Sequence, residues 1–197
     1  MTLRDMRAAV VLFLGLAVAT GLLYPLAMTG AGQVLFPRQA NGSLIRVHGR
    51  IMGSMLIGQY LRGPGLFWSR PSATAPVPYD AKASGASNLG PDNPVLRQHV
   101  ASRVAALRKA DPGVRGPVPV DLVTSSGSGL DPDISIAAAH YQVARISRAT
   151  TIARGQLMAL IRRYTVPRSL GFLGEPVVNV VRLDLALWRR EGARRPR

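Results

Sequence analysis

The sequence predicts an α+β protein, with one N-terminal transmembrane helix followed by a mixed α/β domain. Three observations predict it. A run without a charged residue extends from Ala8 to Pro37. Three later segments place apolar residues at helical spacing, and two more alternate apolar and polar residues in the manner of half-buried strands. A chain of 197 residues is one domain plus extras, since domains run to roughly 100–200 residues. The boundaries fall at 1–7 for an N-terminal segment, 8–29 for the transmembrane helix, 38–188 for the soluble domain and 189–197 for a basic tail.

The core of the uncharged run, Ala8–Met28, reads AAVVLFLGLAVATGLLYPLAM. It supplies about the ~20 residues that a helix needs to cross ~30 Å of hydrocarbon. Arg4 and Arg7 precede it and Arg38 follows. A cleavable signal peptide is the rival reading, with Ala17-Val18-Ala19 as its A-x-A site. Against it, the apolar run continues past that site through Leu22, Leu23, Tyr24 and Leu26. A buried core helix is rarely so apolar all round. Pro25 predicts an irregularity near the far end of the helix. The residues alone leave the orientation open, because long domains translocate largely regardless of charge.

Beyond the helix, Gly42–Ile45 and Gly53–Gly58 read as two short strands around a turn at His48-Gly49. Residues 63–94 are rich in Gly, Pro, Ser and Asn and show no sustained periodicity. Phe67, Trp68, Tyr79 and Leu89 argue that this is an ordered, wandering loop, since disordered segments are poor in aromatics. Asn93 caps a helix with Pro94 at its first position. Leu96, Val100, Val104 and Leu107 line its apolar face, and Asp111-Pro112-Gly113 ends it. Helices over Ile136–Ala149 and Ile152–Tyr164 follow, and Val177–Leu187 alternates as a strand.

The segment Pro117–Ser135, PVPVDLVTSSGSGLDPDIS, carries the densest signals. Val118, Val120 and Leu122 alternate as a strand, Ser125 to Gly129 form a loop, and Asp131, Asp133 and Ser135 offer caps for the next helix. A Ser/Gly loop ahead of a helix N-terminus can turn backbone N–H groups toward a phosphate. This one lacks a lysine, and the nearest following arginine, Arg145, lies deep in the next helix, so a turn shaped to sit against a partner fits better. The pair Asp131 and Asp133 reads as capping charge that offsets the helix dipole.

Catalytic signatures are missing from the sequence. It contains no phosphate-binding P-loop, no dinucleotide fingerprint and no nucleophile elbow. His48, His99 and His140 are far apart and lack metal-site spacing, so they read as structural or surface residues. There is no cysteine, which excludes disulfides and thiolate metal sites. The formal charge of +15, carried almost wholly by arginine, fits an anionic partner or a compositional bias. A membrane-anchored basic module for anionic lipid or nucleic acid is therefore a second reading, but no basic stripe interleaved with aromatics supports a nucleic-acid partner.

Six separated blocks then resemble one family. They are Gly53-Ser54 with Leu56-Ile57-Gly58-Gln59; Phe67 with Arg70-Pro71-Ser72-Ala73; Ser84–Pro91; Val118–Pro132; Tyr141-Gln142-Val143; and Leu170–Pro176 with Val178-Asn179-Val180. In this order, behind one membrane helix, they resemble KdpC, the C subunit of the bacterial ATP-driven potassium transporter. The resemblance implies an accessory, non-catalytic subunit needed for assembly and activity. It would partner a channel-like potassium-translocating subunit and a P-type ATPase subunit, with membrane lipid around its helix. It further implies a single-pass inner-membrane protein with a cytoplasmic N-terminus and an extracytoplasmic, periplasmic domain. The family is also described as a catalytic chaperone that raises the ATP affinity of the ATPase subunit. No firmly bound cofactor is implied, only ATP shared with that subunit. The candidate nucleotide contacts are Ser125, Ser126, Gly127, Ser128 and Gly129 with Gln142, whose amide both donates and accepts. The chain departs from the family at Asp133, where His is frequent, at Ile136, where Pro is frequent, and at Ala86, where Gly is common.

Overall fold

A computed structural model describes residues 2–47 and 49–192; His48 and the end of the basic tail lie outside the described residues. The chain divides into two units, Met1–Met52 and Gly53–Arg197.

In the first unit, α1 (Leu3–Val18), a π-helical segment (Ala19–Leu23) and α2 (Tyr24–Leu35) form one apolar helix of 33 residues. Its mean hydropathy peaks at 2.2, and none of its residues is buried. At ~1.5 Å per residue it is about 50 Å long, more than the ~30 Å hydrocarbon thickness. Thr2 and Asp5 form a reciprocal capping box, with Thr2 N donating to Asp5 Oδ2 at 2.8 Å. The irregularity expected at Pro25 is the π segment just before it, where Tyr24 N donates to Ala19 O. This wider turn lies where proline removes a backbone donor. A short α3 (Pro37–Ala40) leads to β1 (Leu44–Val47) and β2 (Arg50–Ser54), which pair; two strands form as expected, but the second ends at Ser54 instead of running over Gly53–Gly58.

The second unit is built on α4 (Pro94–Ala110), β3 (Asp133–Ser135), α5 (Ile136–Ala149), α6 (Arg154–Tyr164), β4 (Thr165–Val166), β5 (Val177–Asn179) and α7 (Val180–Gly192). The antiparallel sheet has the order β3-β5-β4, with Val178 opposite both Ile134 and Thr165. Ile134, Ala138, Ile146, Leu157, Ile161, Val178 and Leu183 close one core between the sheet and helices α5–α7. Asn93 caps α4 and Ser135 caps α5, as expected. The third helix starts at Arg154 rather than Ile152. Ile152 and Leu157 are both buried at positions N′ and N4, the placement of a hydrophobic staple. The 63–94 segment is an ordered loop whose Phe67 and Trp68 are buried in the core.

Two strand expectations fail. Val118–Leu122 is no strand: Val120–Leu122 forms a 3-10 turn, with Val120 exposed and Leu122 buried. Pro117 and Pro119 remove two of the donors that a ladder needs. Val177–Leu187 is a strand only as far as Asn179, after which α7 begins. Val180, Leu183 and Leu187 are all fully buried, a helical spacing that outweighs the alternation at 181–187. Asn179 Oδ1 accepts from Arg182 N at 3.0 Å and caps the new helix. Because α7 continues to Gly192, Arg189 and Arg190 are helical rather than part of a frayed tail.

Candidate functional site

The candidate loop Ser125–Gly129 is knitted into the segment 70–85. Ser126 Oγ accepts from Gly129 N at 2.9 Å, and Ser128 Oγ accepts from Leu130 N at 3.1 Å. Ser128 O accepts from Gly85 N at 2.9 Å and from Ser84 Oγ at 3.1 Å, while Ser72 Oγ donates to Gly129 O at 2.7 Å. Gly129 has φ +68°, and a Cβ there would lie 2.6 Å from Gly85 O, so the position requires glycine. Ser126 and Gly129 are buried, and Gly127 and Ser128 form an exposed crest. The loop does not open onto a helix. It enters β3, and Ser135 alone caps α5, with its Oγ accepting from Ala138 N at 3.0 Å.

Asp131 and Asp133 therefore do other work than capping. Asp131 Oδ1 accepts from Asp133 N at 3.0 Å, and its Oδ2 pairs with Arg70 at 3.3 Å. Asp121 Oδ2 accepts from Ser135 N at 2.7 Å. Burial pushes the Asp133 carboxyl above the usual carboxylate range, against the hydrogen bond from Asn179. These side chains, with Glu175 and Arg70, line a cavity of about 600 Å³ rimmed by Pro119, Val120 and Val177. Asp131 is paired with Arg70 and Glu175 with Arg168, so the excess negative charge of the lining rests on Asp121 and Asp133 and favours cationic and donor groups over phosphate.

Gln142 is remote in role from the loop. It is 1% exposed, and every part of its amide is used. Its Oε1 accepts from Trp68 N and from Arg145 Nη2, both at 2.7 Å. Its Nε2 donates to Trp68 O at 3.1 Å and to Ala138 O at 3.2 Å. The loop and Gln142 are thus not brought together as one set of contacts.

Sequence reasoning missed the partners of Gln142. Arg145 donates to the carbonyls of Gly63, Pro64 and Leu66 at 3.2, 2.6 and 2.9 Å, and its guanidinium lies over the Trp68 ring at 4.4 Å. Burial draws its pKa down to about 10. Asp184 is 1% exposed; its Oδ1 accepts from Phe67 N at 2.9 Å, while its buried Oδ2 has no hydrogen-bond partner among the described residues. Desolvation raises its pKa to about 8, against the Phe67 hydrogen bond and the charge of Arg145. The signal for Asp184 was its place inside a largely apolar run, VVRLDLAL, where Arg182 is the other charged residue. His99 and His140 are exposed, in keeping with their surface reading.

The separated blocks meet here. Gly58 N donates to Leu130 O at 2.8 Å, and a Cβ on Gly58 would lie 2.8 Å from Asp131 O. Asn179 Nδ2 donates to Met55 O at 3.0 Å. These features define a membrane-anchored α+β protein whose distinctive residues tie the 53–90 loop to the 125–135 segment and to the helices behind it. A family model described as K+-transporting ATPase, c chain (KdpC) matches residues 6–189. The potassium-transporting ATPase KdpC subunit of Variovorax paradoxus is 57% identical over 188 residues, covering 95% of this chain and 97% of the relative. Those of Methylibium petroleiphilum and Methylococcus capsulatus are 56% and 55% identical, each covering 92% of this chain and 95% of the relative. The chain belongs to the KdpC family.

Proposed function

We infer that this chain is a non-catalytic accessory subunit that holds a potassium-transporting ATPase complex in its working assembly. The observation that carries the reading is the near full-length match to proteins named as KdpC subunits. In this reading the membrane helix packs among partner helices through small residues such as Gly15, Ala19 and Gly21. The N-terminus lies in the cytoplasm of a bacterial cell and the second unit on the outer side of the inner membrane, against the potassium-translocating subunit. The internal use of Gln142, Arg145 and Asp184 supports a scaffold rather than a reaction centre.

The narrower role, raising the ATP affinity of the ATPase subunit, belongs to the same proposal. Its contact is the exposed crest Gly127-Ser128, since Gln142 is spent inside the fold. Deleting the gene and measuring growth at micromolar potassium tests the reading. Growth fails and returns with a plasmid copy, whereas normal growth of the deletion strain overturns it. A raised KM for ATP in transporter prepared without the chain supports the narrower role, and an unchanged KM removes it.

A further inference from the structure

Between β4 and β5 the chain forms a tight apolar tip. Ser169 N donates to Leu173 O and Leu173 N donates back to Ser169 O, both at 2.9 Å, and Gly171 N donates to Arg168 O at 3.1 Å. Leu170, at φ +55°, sits in the left-handed region that disfavours side-chain-bearing residues. Yet this hydrogen-bonded turn holds three large apolar side chains in water: Leu170 is 83% exposed, Phe172 70% and Leu173 50%. Exposure there is not that of a loose loop, because a reciprocal pair of backbone hydrogen bonds closes the turn. Contiguous apolar exposure of this kind marks interaction sites. A turn already held in shape also loses little further conformational freedom on docking.

The tip is continuous with the acidic cavity. Arg168 Nη2 donates to both oxygens of Glu175 at 3.0 Å and closes the base of the tip, and Glu175 is itself a wall of that cavity. Val120, 69% exposed, adds apolar surface to the same rim. The carboxylates of Asp121, Asp131 and Asp133 complete the lining. With Arg70 held by Asp131 and Arg168 by Glu175, the lining keeps a smaller net negative charge, which disfavours anionic lipid headgroups. A protein that offers an apolar recess beside an arginine or lysine is complementary on both counts.

Resting on the accessory-subunit reading, we propose that Leu170, Phe172 and Leu173 with the adjoining acidic cavity form the docking surface for another polypeptide of the transporter, which presents an apolar recess bordered by a basic side chain. The chain contains no cysteine, so single cysteines report local exposure without background from this subunit. The test introduces Phe172→Cys, with Ser102→Cys on the exposed face of α4 as control, and measures maleimide labelling of this chain. Labelling is compared in the purified complex, in the isolated full chain in detergent, and in the isolated chain in nanodiscs containing anionic lipid. The expected result is labelling at position 172 slowed at least roughly tenfold in the complex alone, on the scale of a buried aromatic contact, with position 102 unchanged. Adding the swap Arg168→Glu with Glu175→Arg to the Phe172→Cys chain keeps an ion pair at the base of the tip, reverses the charge on the cavity wall and restores labelling. Protection in nanodiscs without the other subunits assigns the tip to lipid and overturns the proposal. Full labelling at 172 in a complex that still contains the chain also overturns it while leaving the accessory role intact. Failure of the unmodified chain to enter any complex defeats that role itself, and unchanged protection in the swapped Arg168→Glu, Glu175→Arg chain contradicts the basic partner residue.

Discussion

Asp184, Arg145 and Gln142 together hold the backbone of residues 63–68 against the core. A buried carboxyl with one unpaired oxygen is costly to ionise. In the unfolded chain it titrates near about 4, and in the fold near about 8. The proton is therefore bound more tightly by the folded state. The stability it contributes is complete below the unfolded value, is lost as pH rises through about 8, and does not fall further above it. Asp184→Asn, which cannot titrate, flattens that decline between about pH 4 and about pH 8. Unfolding midpoints of the full chain in detergent between pH 5 and pH 9 check this, and equal slopes for both proteins contradict it. Little of this network was legible in the sequence. An aspartate within VVRLDLAL falls on the polar face of a strand if the segment is read as alternating, but on the buried face of the helix that forms. Gln142 was singled out, yet for hydrogen bonds to a ligand rather than to the Trp68 backbone.

Elements with local signals were the readable ones. Asn93-Pro94 and Ser135 announce α4 and α5 to the residue, because a cap is a short-range hydrogen bond written in adjacent positions. Strands of two or three residues carry no such signal. β3, β4 and β5 exist because they pair with one another, and alternation over so few positions cannot identify them. At the β5–α7 junction the cap was present but masked by apolar alternation. Asn179 serves two elements at once, capping α7 through Oδ1 and tying the strand to Met55 O through Nδ2. Asn179→Ala removes both bonds from a buried position, together with its hydrogen bond to Asp133, and lowers stability by at least about 2 kcal/mol, the sum of a cap and a buried hydrogen bond. Chemical denaturation of the full chain measures the loss; a change under about 0.5 kcal/mol, the range of an ordinary surface substitution, contradicts the double role.

At the scale of the whole molecule, the blocks that carried the family resemblance turn out to be chiefly structural. Ser72, Gly85, Ser128 and Gly129 meet through backbone atoms and one hydroxyl, and Gly58 bonds to Leu130, joining loops more than forty residues apart in sequence. Residues of this kind fix a surface without themselves forming a reaction centre. The surface they fix includes the crest at Gly127, the acidic cavity and, beyond β4, the apolar tip. The anchor was readable because twenty uncharged residues have few other uses, whereas the cavity was not, because its carboxylates come from four separate places between Asp121 and Glu175. The most direct measurement of the central claim is affinity purification of the tagged chain from membranes of potassium-starved cells. The account predicts that a P-type ATPase subunit and a channel-like potassium-translocating subunit are recovered with it in constant proportion. Recovery of the chain alone, or with neither protein, would contradict it.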